Sequence, residues 1–164
     1  MSVVLIAAAV IIVFIFGSIK KVPPSQVWVV ERTGQFCASW ETGIHYAVPF
    51  LDRVVRKIDM REQLAEITMQ TAETKDGQTV SIDAVVFFSV TDAEKFTYGI
   101  ERPVESVRSL ALTALHDIAG SMELEKLRSE RRTVGAKLTD VLGGAVGIWG
   151  IRIEKAELKN ITTR

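Results

Sequence analysis

The sequence predicts an α+β domain behind an N-terminal transmembrane helix. An uncharged apolar run opens the chain, period-2 apolar alternation follows, and helical-period stripes then give way to one last strand. The apolar run is Val3–Ile19, marked by Val3, Ile6, Val10, Phe14 and Ile19. At 1.5 Å per residue it makes a helix of about 26 Å, enough to reach across a bilayer core at the short end of the range. Lys20 and Lys21 follow and can snorkel at the helix end. A cleaved secretion signal would place positive charge before the run and a small-x-small site after it. Here only Met1 and Ser2 precede the run, and no such site stands before Val22-Pro23-Pro24. A buried core helix is the remaining alternative. Residues 1–21 are thus expected to be a membrane anchor and 22–164 the folded domain. The two lysines lean that domain toward the cytoplasmic side.

After the stiff Val22-Pro23-Pro24, Val27–Glu31 is a strand candidate, and Thr33-Gly34 turns the chain. Gly43 to Phe50, punctuated by Gly43 and Pro49, reads as an irregular but well-packed loop. Val54–Asp59 and Leu64–Met69 read as short strands, and Lys75-Asp76-Gly77 as a turn. The strongest strand is Thr79–Val90. Val80, Ile82, Ala84, Val86 and Phe88 share one face, and the other face passes from polar to apolar, so the strand is expected to be covered on both sides toward its end.

The period then changes. Thr91-Asp92-Ala93-Glu94 has the form of a capping box, and Pro103 suits the first turn of the next helix. Val104, Val107, Leu110, Ala111, Ala114, Leu115 and Ile118 form its apolar stripe to about Gly120. A further helix, with Ser121 as a candidate cap, would turn Leu124, Leu127, Val134, Leu138, Val141, Leu142 and Ala145 inward, with Gly135 and Gly143-Gly144 weakening it. Ile151–Leu158 returns to a strand whose alternation needs a bulge after Glu154.

Composition narrows function. The 20 basic and 20 acidic residues leave no basic surplus for nucleic acid. Cys37 is the only cysteine, which rules out an internal disulfide, and a buried small side chain is the expectation for it. His45 and His116 are isolated, and two histidines with one cysteine do not match zinc spacing. No Gly-rich phosphate loop, G-x-S-x-G or H-E-x-x-H occurs. The expectation is a protein without catalytic residues, cofactor or metal, acting through its surface. Two surfaces are candidates. Ile44, Tyr46, Val48, Phe50 and Leu51 can dip into a membrane interface. Arg128, Arg131 and Arg132, with Lys137 and interrupted by Glu130, read as a solvated salt-bridged face or as a subunit interface.

Several stretches, in this order, resemble the stomatin/prohibitin superfamily, the SPFH or band-7 proteins, on their bacterial stomatin-like side. They are Val29–Phe36, Gly43-Ile44-His45 with Val48–Arg53, Arg56–Gln63, Thr74–Val86, and Trp149-Gly150-Ile151 leading into Glu154–Leu158. The resemblance covers nearly all of residues 22–162. It implies a small, mostly antiparallel sheet packed with helices, attachment to a membrane and homo-oligomerisation. It also implies scaffolding of membrane microdomains and protein quality control, with lipids, an NfeD-type membrane protein or a membrane protease as partners. A single-pass protein of the bacterial inner membrane is the matching location. Gly34, Gly43, Pro49 and Asp76 would be structural positions. Two departures stand out. Leu142–Gly147 is glycine-rich where relatives carry acidic and polar residues. Relatives also continue beyond the position of Arg164 into an Ala/Glu-rich coiled coil, so the sequence is expected to stop at a domain boundary, or else to assemble through the globular domain alone.

Overall fold

A computed structural model describes residues 18–163, with the side chains of Met69 and Gln70 set aside. Val3, Ile6, Val10 and Phe14 of the expected anchor lie outside the described residues. Among the described residues, no helix is long and apolar enough to cross a membrane. The chain divides into two compact units, Met1–Met60 and Arg61–Arg164.

In the first unit the described elements are strands: β1 (Ile19–Val22), β2 (Gln26–Arg32), β3 (Gln35–Trp40), β4 (Gly43–Tyr46) and β5 (Asp52–Asp59). β1 and β4 form an antiparallel ribbon, and β3-β2-β5 form an antiparallel sheet. Ile19 therefore stands in a strand opposite Tyr46, and the helical reading of the opening run does not extend to it. Gly43–Tyr46, read as loop, is a strand because its backbone pairs with β1. β3 was not anticipated, and its Cys37 is exposed, not buried. The turn at Thr33-Gly34 is present, with φ of 52° and 83°. Val22, Val30 and Trp40 form the buried core here, flanked by half-buried Trp28, Ala38, Ala47 and Val54.

The second unit is a sheet of order β6-β7-β8, antiparallel throughout, covered by helices. Its strands are β6 (Gln63–Glu73), β7 (Thr79–Val90) and β8 (Ile151–Thr163); its helices are α1 (Ala93–Tyr98), α2 (Pro103–Ser121), α3 (Leu124–Ser129) and α4 (Arg131–Val146). α2 packs on β6, α4 on β8, and the two helices on each other. The predicted inner face of β7 holds: Val80, Ile82, Ala84, Val86 and Phe88 are all 0–1% exposed. Val107, Ala111 and Leu115 of α2 and Val134, Leu138 and Leu142 of α4 are as deeply buried. Fully burying such a side chain stabilises by about 1.5–3 kcal/mol, so this layer carries the unit. On the other face of β7, Val85 is buried and Phe87 half-buried.

Local details revise three expectations. Asp92, not Thr91, caps α1: its carboxylate accepts from the Lys95 amide at 3.0 Å, while the Thr91 hydroxyl donates to the Gly150 carbonyl. Ser121 ends α2, its hydroxyl donating to the Ile118 carbonyl. The start of α3 is served from a distant turn instead, where Asp76 Oδ1 accepts from the Leu124 amide at 3.3 Å and from the Thr74 hydroxyl. The expected single long helix breaks at Glu130 into α3 and α4, and Val141 is 54% exposed instead of inward. The β8 bulge falls at the place expected: Phe87 pairs with Lys155 and Phe88 with Ile153, leaving Glu154 over.

Gly135 has a role opposite to the one its helix propensity suggests. A Cβ there would lie 2.4 Å from the Ala156 carbonyl oxygen, so the glycine lets α4 touch β8 backbone to backbone. One turn on, the Thr139 hydroxyl donates to the Gly135 carbonyl and accepts from the Ala156 amide, both at 2.9 Å. β8 is an edge strand, and this contact satisfies an outward-facing backbone group that would otherwise invite pairing.

Candidate functional surfaces

The first surface is built on the β1–β4 ribbon. Partners across an antiparallel pair share a face, and alternate residues share it along each strand. Ile19 opposite Tyr46 and Lys21 opposite Ile44 therefore put Ile19, Lys21, Ile44 and Tyr46 on one side. All four are exposed. The Ala47 amide donates to the Ser18 carbonyl at 2.8 Å, which continues the pairing past the ribbon's end.

The chain then turns at Val48-Pro49-Phe50-Leu51, where the Leu51 amide donates to the Val48 carbonyl at 3.2 Å. Proline second and a positive φ third is the pattern of a type II turn, whose third position favours glycine. Here that position is Phe50, at φ 66°. The turn is held from Asp52. Its Oδ2 accepts from the Val48 amide at 2.7 Å, its own amide donates to the Val48 carbonyl at 2.9 Å, and its carboxylate takes the Arg32 guanidinium in a fork of 2.7 and 3.0 Å. The Arg32 hydrogen bond, then the Val48 amide, hold the Asp52 carboxyl below the ordinary carboxylate range. Phe50 is left 94% exposed, Ile44 75%, Tyr46 56% and Leu51 45%. Of the predicted loop residues, Val48 is the exception, half-buried with its backbone fixed. His45 stacks on Trp40 at 5.2 Å and donates through Nε2 to the Glu41 carbonyl, a packing role.

The second surface lies wholly in the other unit. Arg131 and Arg132 open α4 and line a groove of about 430 Å³ with Thr139 and the Lys155–Leu158 edge of β8. Arg128 does not line it, and its Nη2 lies 3.4 Å from the Thr163 hydroxyl. Arg131 and Arg132 have no carboxylate partner among the described residues, and no acidic residue occupies the first turn of α4. Two cations at the positive end of a helix dipole work against the helix. Nothing in the sequence marks the groove itself, which requires the approach of α4 to β8.

His116 is exposed on α2, in a shallow depression with Thr71, Leu112, Thr113 and Asp117. No group of three His, Cys, Asp or Glu residues able to hold a metal occurs among the described residues.

An α+β domain that shows ordered apolar and basic surfaces is one that works by contact. The chain belongs to the SPFH domain / Band 7 family, whose profile matches residues 20–164. Members of that family are membrane-associated scaffolding modules and characteristically not catalysts. The chain is 33% identical over 157 residues to an uncharacterized protein of Methanothermobacter thermautotrophicus, covering 96% of this chain and 49% of that one. It is 33% identical over 161 residues to an uncharacterized protein of Mycobacterium tuberculosis, covering 96% and 42%. It is also 35% identical over 140 residues to human mitochondrial stomatin-like protein 2, covering 85% and 39%. The chain thus spans half or less of the length of these relatives.

Proposed function

We propose that the chain is a single-pass, membrane-anchored subunit of a homo-oligomeric scaffold that organises membrane microdomains and modulates a membrane protein such as a protease or channel. One observation carries this: the uncharged run Val3–Ile19 leads without a linker into a Band 7 domain. Lys20 and Lys21 favour the cytoplasmic face of a bacterial inner membrane. Arg131 and Arg132, without a carboxylate partner among the described residues, support assembly, because a groove whose Glu157 is paired with Lys155 leaves these two cations for an acidic group from a neighbouring subunit. Clients of this scaffold would be an NfeD-type membrane protein or a membrane protease, drawn in by the effective concentration that many tethered copies create.

The exposed apolar turn favours a second reading, a lipid- or membrane-protein-binding module without a large assembly. Particle size in mild detergent across micromolar concentrations separates the two. The scaffold predicts assemblies well above one subunit, which R131E/R132E shrinks; a strictly monomeric full-length protein refutes it.

A further inference from the structure

We infer that α4 is a two-fold contact helix, whose exposed ridge docks antiparallel on the same ridge of a second copy, with Arg132 of each copy opposite Asp140 of the other. Arg132, Ala136 and Asp140 follow one another at four-residue spacing, and residues so spaced form one ridge along a helix. All three are exposed, and Arg132 and Ala136 line the groove against β8. The ridge therefore runs from a cation through a small residue to an anion. Asp140, like Arg132, has no ion-pair partner among the described residues, although Lys137 stands one turn before it. The groove's own carboxylate, Glu157, is taken up by Lys155 at 3.1 Å.

A ridge with that charge order is complementary to itself when turned end over end. At 1.5 Å per residue, Arg132 and Asp140 lie about 6 Å to either side of Ala136 along the helix. An antiparallel copy centred on Ala136 sets Arg132 against Asp140 of the partner subunit at both ends. It also places the smallest side chain of the ridge on the axis, where the two helices come closest. A parallel copy would oppose like charges instead, which disfavours it. Arg132 works against its own helix at the N-terminal turn, and a carboxylate brought beside it offsets that effect. The acid that answers Arg132 is already present on the same ridge, so a second copy fits this face without any other acidic chain. Exposed ion pairs contribute little by themselves. The contact thus belongs to copies held close together, where a weak two-fold pairing is enough to join neighbours.

This inference rests on the homo-oligomeric reading, and the experiment separates the two. The full chain, carrying Cys37→Ser and Ala136→Cys, is reconstituted into phosphatidylcholine–phosphatidylglycerol vesicles and oxidised with copper phenanthroline. A residue on a two-fold axis meets its own copy within disulfide range. A cross-linked dimer is therefore expected, forming several-fold faster than from Ser109→Cys on the exposed side of α2. Arg132→Asp and Asp140→Arg should each slow it several-fold by opposing like charges, and the double variant R132D/D140R should restore it. R132D puts an acid in the first turn of α4, which favours the helix, so its loss of cross-linking is not a loss of fold. Equal cross-linking in the A136C parent, both single variants and the double variant overturns the paired ridge. So does the absence of an A136C dimer from a protein that sizes well above one subunit in mild detergent, a result that leaves the scaffold standing on another contact. A protein that remains a single subunit throughout overturns both.

Discussion

The glycines of α4 separate two physical roles, and replacing each by alanine measures them. At Gly135 a new Cβ would lie 2.4 Å from the Ala156 carbonyl oxygen, a backbone atom that cannot swing away. Helix and strand must move apart, an overpacking change that costs about 1–3 kcal/mol. Alanine returns about 0.8–1 kcal/mol of helix propensity. The net effect expected for Gly135→Ala is destabilisation of about 1–2 kcal/mol, since the shift also strains the paired Thr139–Ala156 hydrogen bond. Gly143 sits in the same helix with nothing within 4 Å of its Cβ position. There only the propensity remains, so Gly143→Ala should stabilise by about 0.5–1 kcal/mol. Urea unfolding of the detergent-solubilised chain, followed by circular dichroism at the helical band, reads both. A G135A protein as stable as G143A would refute the account of a glycine-mediated helix–strand contact.

Two further outcomes test neighbouring features. Thr139→Val removes the hydroxyl that accepts from the Ala156 amide and should destabilise by about 1–3 kcal/mol, with Thr139→Ser restoring most of the loss in the same urea titration. The Asp52 carboxyl is held below its ordinary range in the folded protein, so its contribution is complete above the unfolded carboxylate value and disappears as pH falls through the folded one. An acid titration of the Val48 amide by NMR should therefore show its transition below the usual aspartate range, and Asp52→Asn should abolish it.

Period-2 alternation made β7 legible to the residue, because its inner face is built wholly of apolar side chains and the register of a half-buried strand is strongly specified. The α2 stripe was legible for the same reason at the helical period. β3 was not read, although Phe36, Ala38 and Trp40 alternate along it, because the pattern is short and only Trp40 is buried, so the strand rests on its ladder to β2. Pro49 sits in a turn as read, but Gly43 opens a strand, since pairing with β1 is a tertiary fact. Val141 has the spacing of a core residue, but the apolar stripe of α4 is wider than the face the sheet can cover. Of the candidate surfaces, the apolar residues of the turn were readable from composition. Their rigidity was not, because it depends on Arg32 and Asp52, which lie twenty residues apart in the chain. Gly135 was read as a weakness for a similar reason: local propensity cannot see the strand it approaches.

The pairing of β7 with β8 has a consequence during synthesis. Val80 meets Thr163 and Val90 meets Ile151, so the middle strand of the second unit is partnered by β8, and everything from Thr91 to Gly150 lies between them in the chain. On the ribosome, β6 and β7 emerge early as a hairpin with an oily face and must wait for the last strand before the layer can close. Until then a nascent chain offers that face and an open strand edge to other proteins, the exposure that makes late long-range β pairing prone to aggregation.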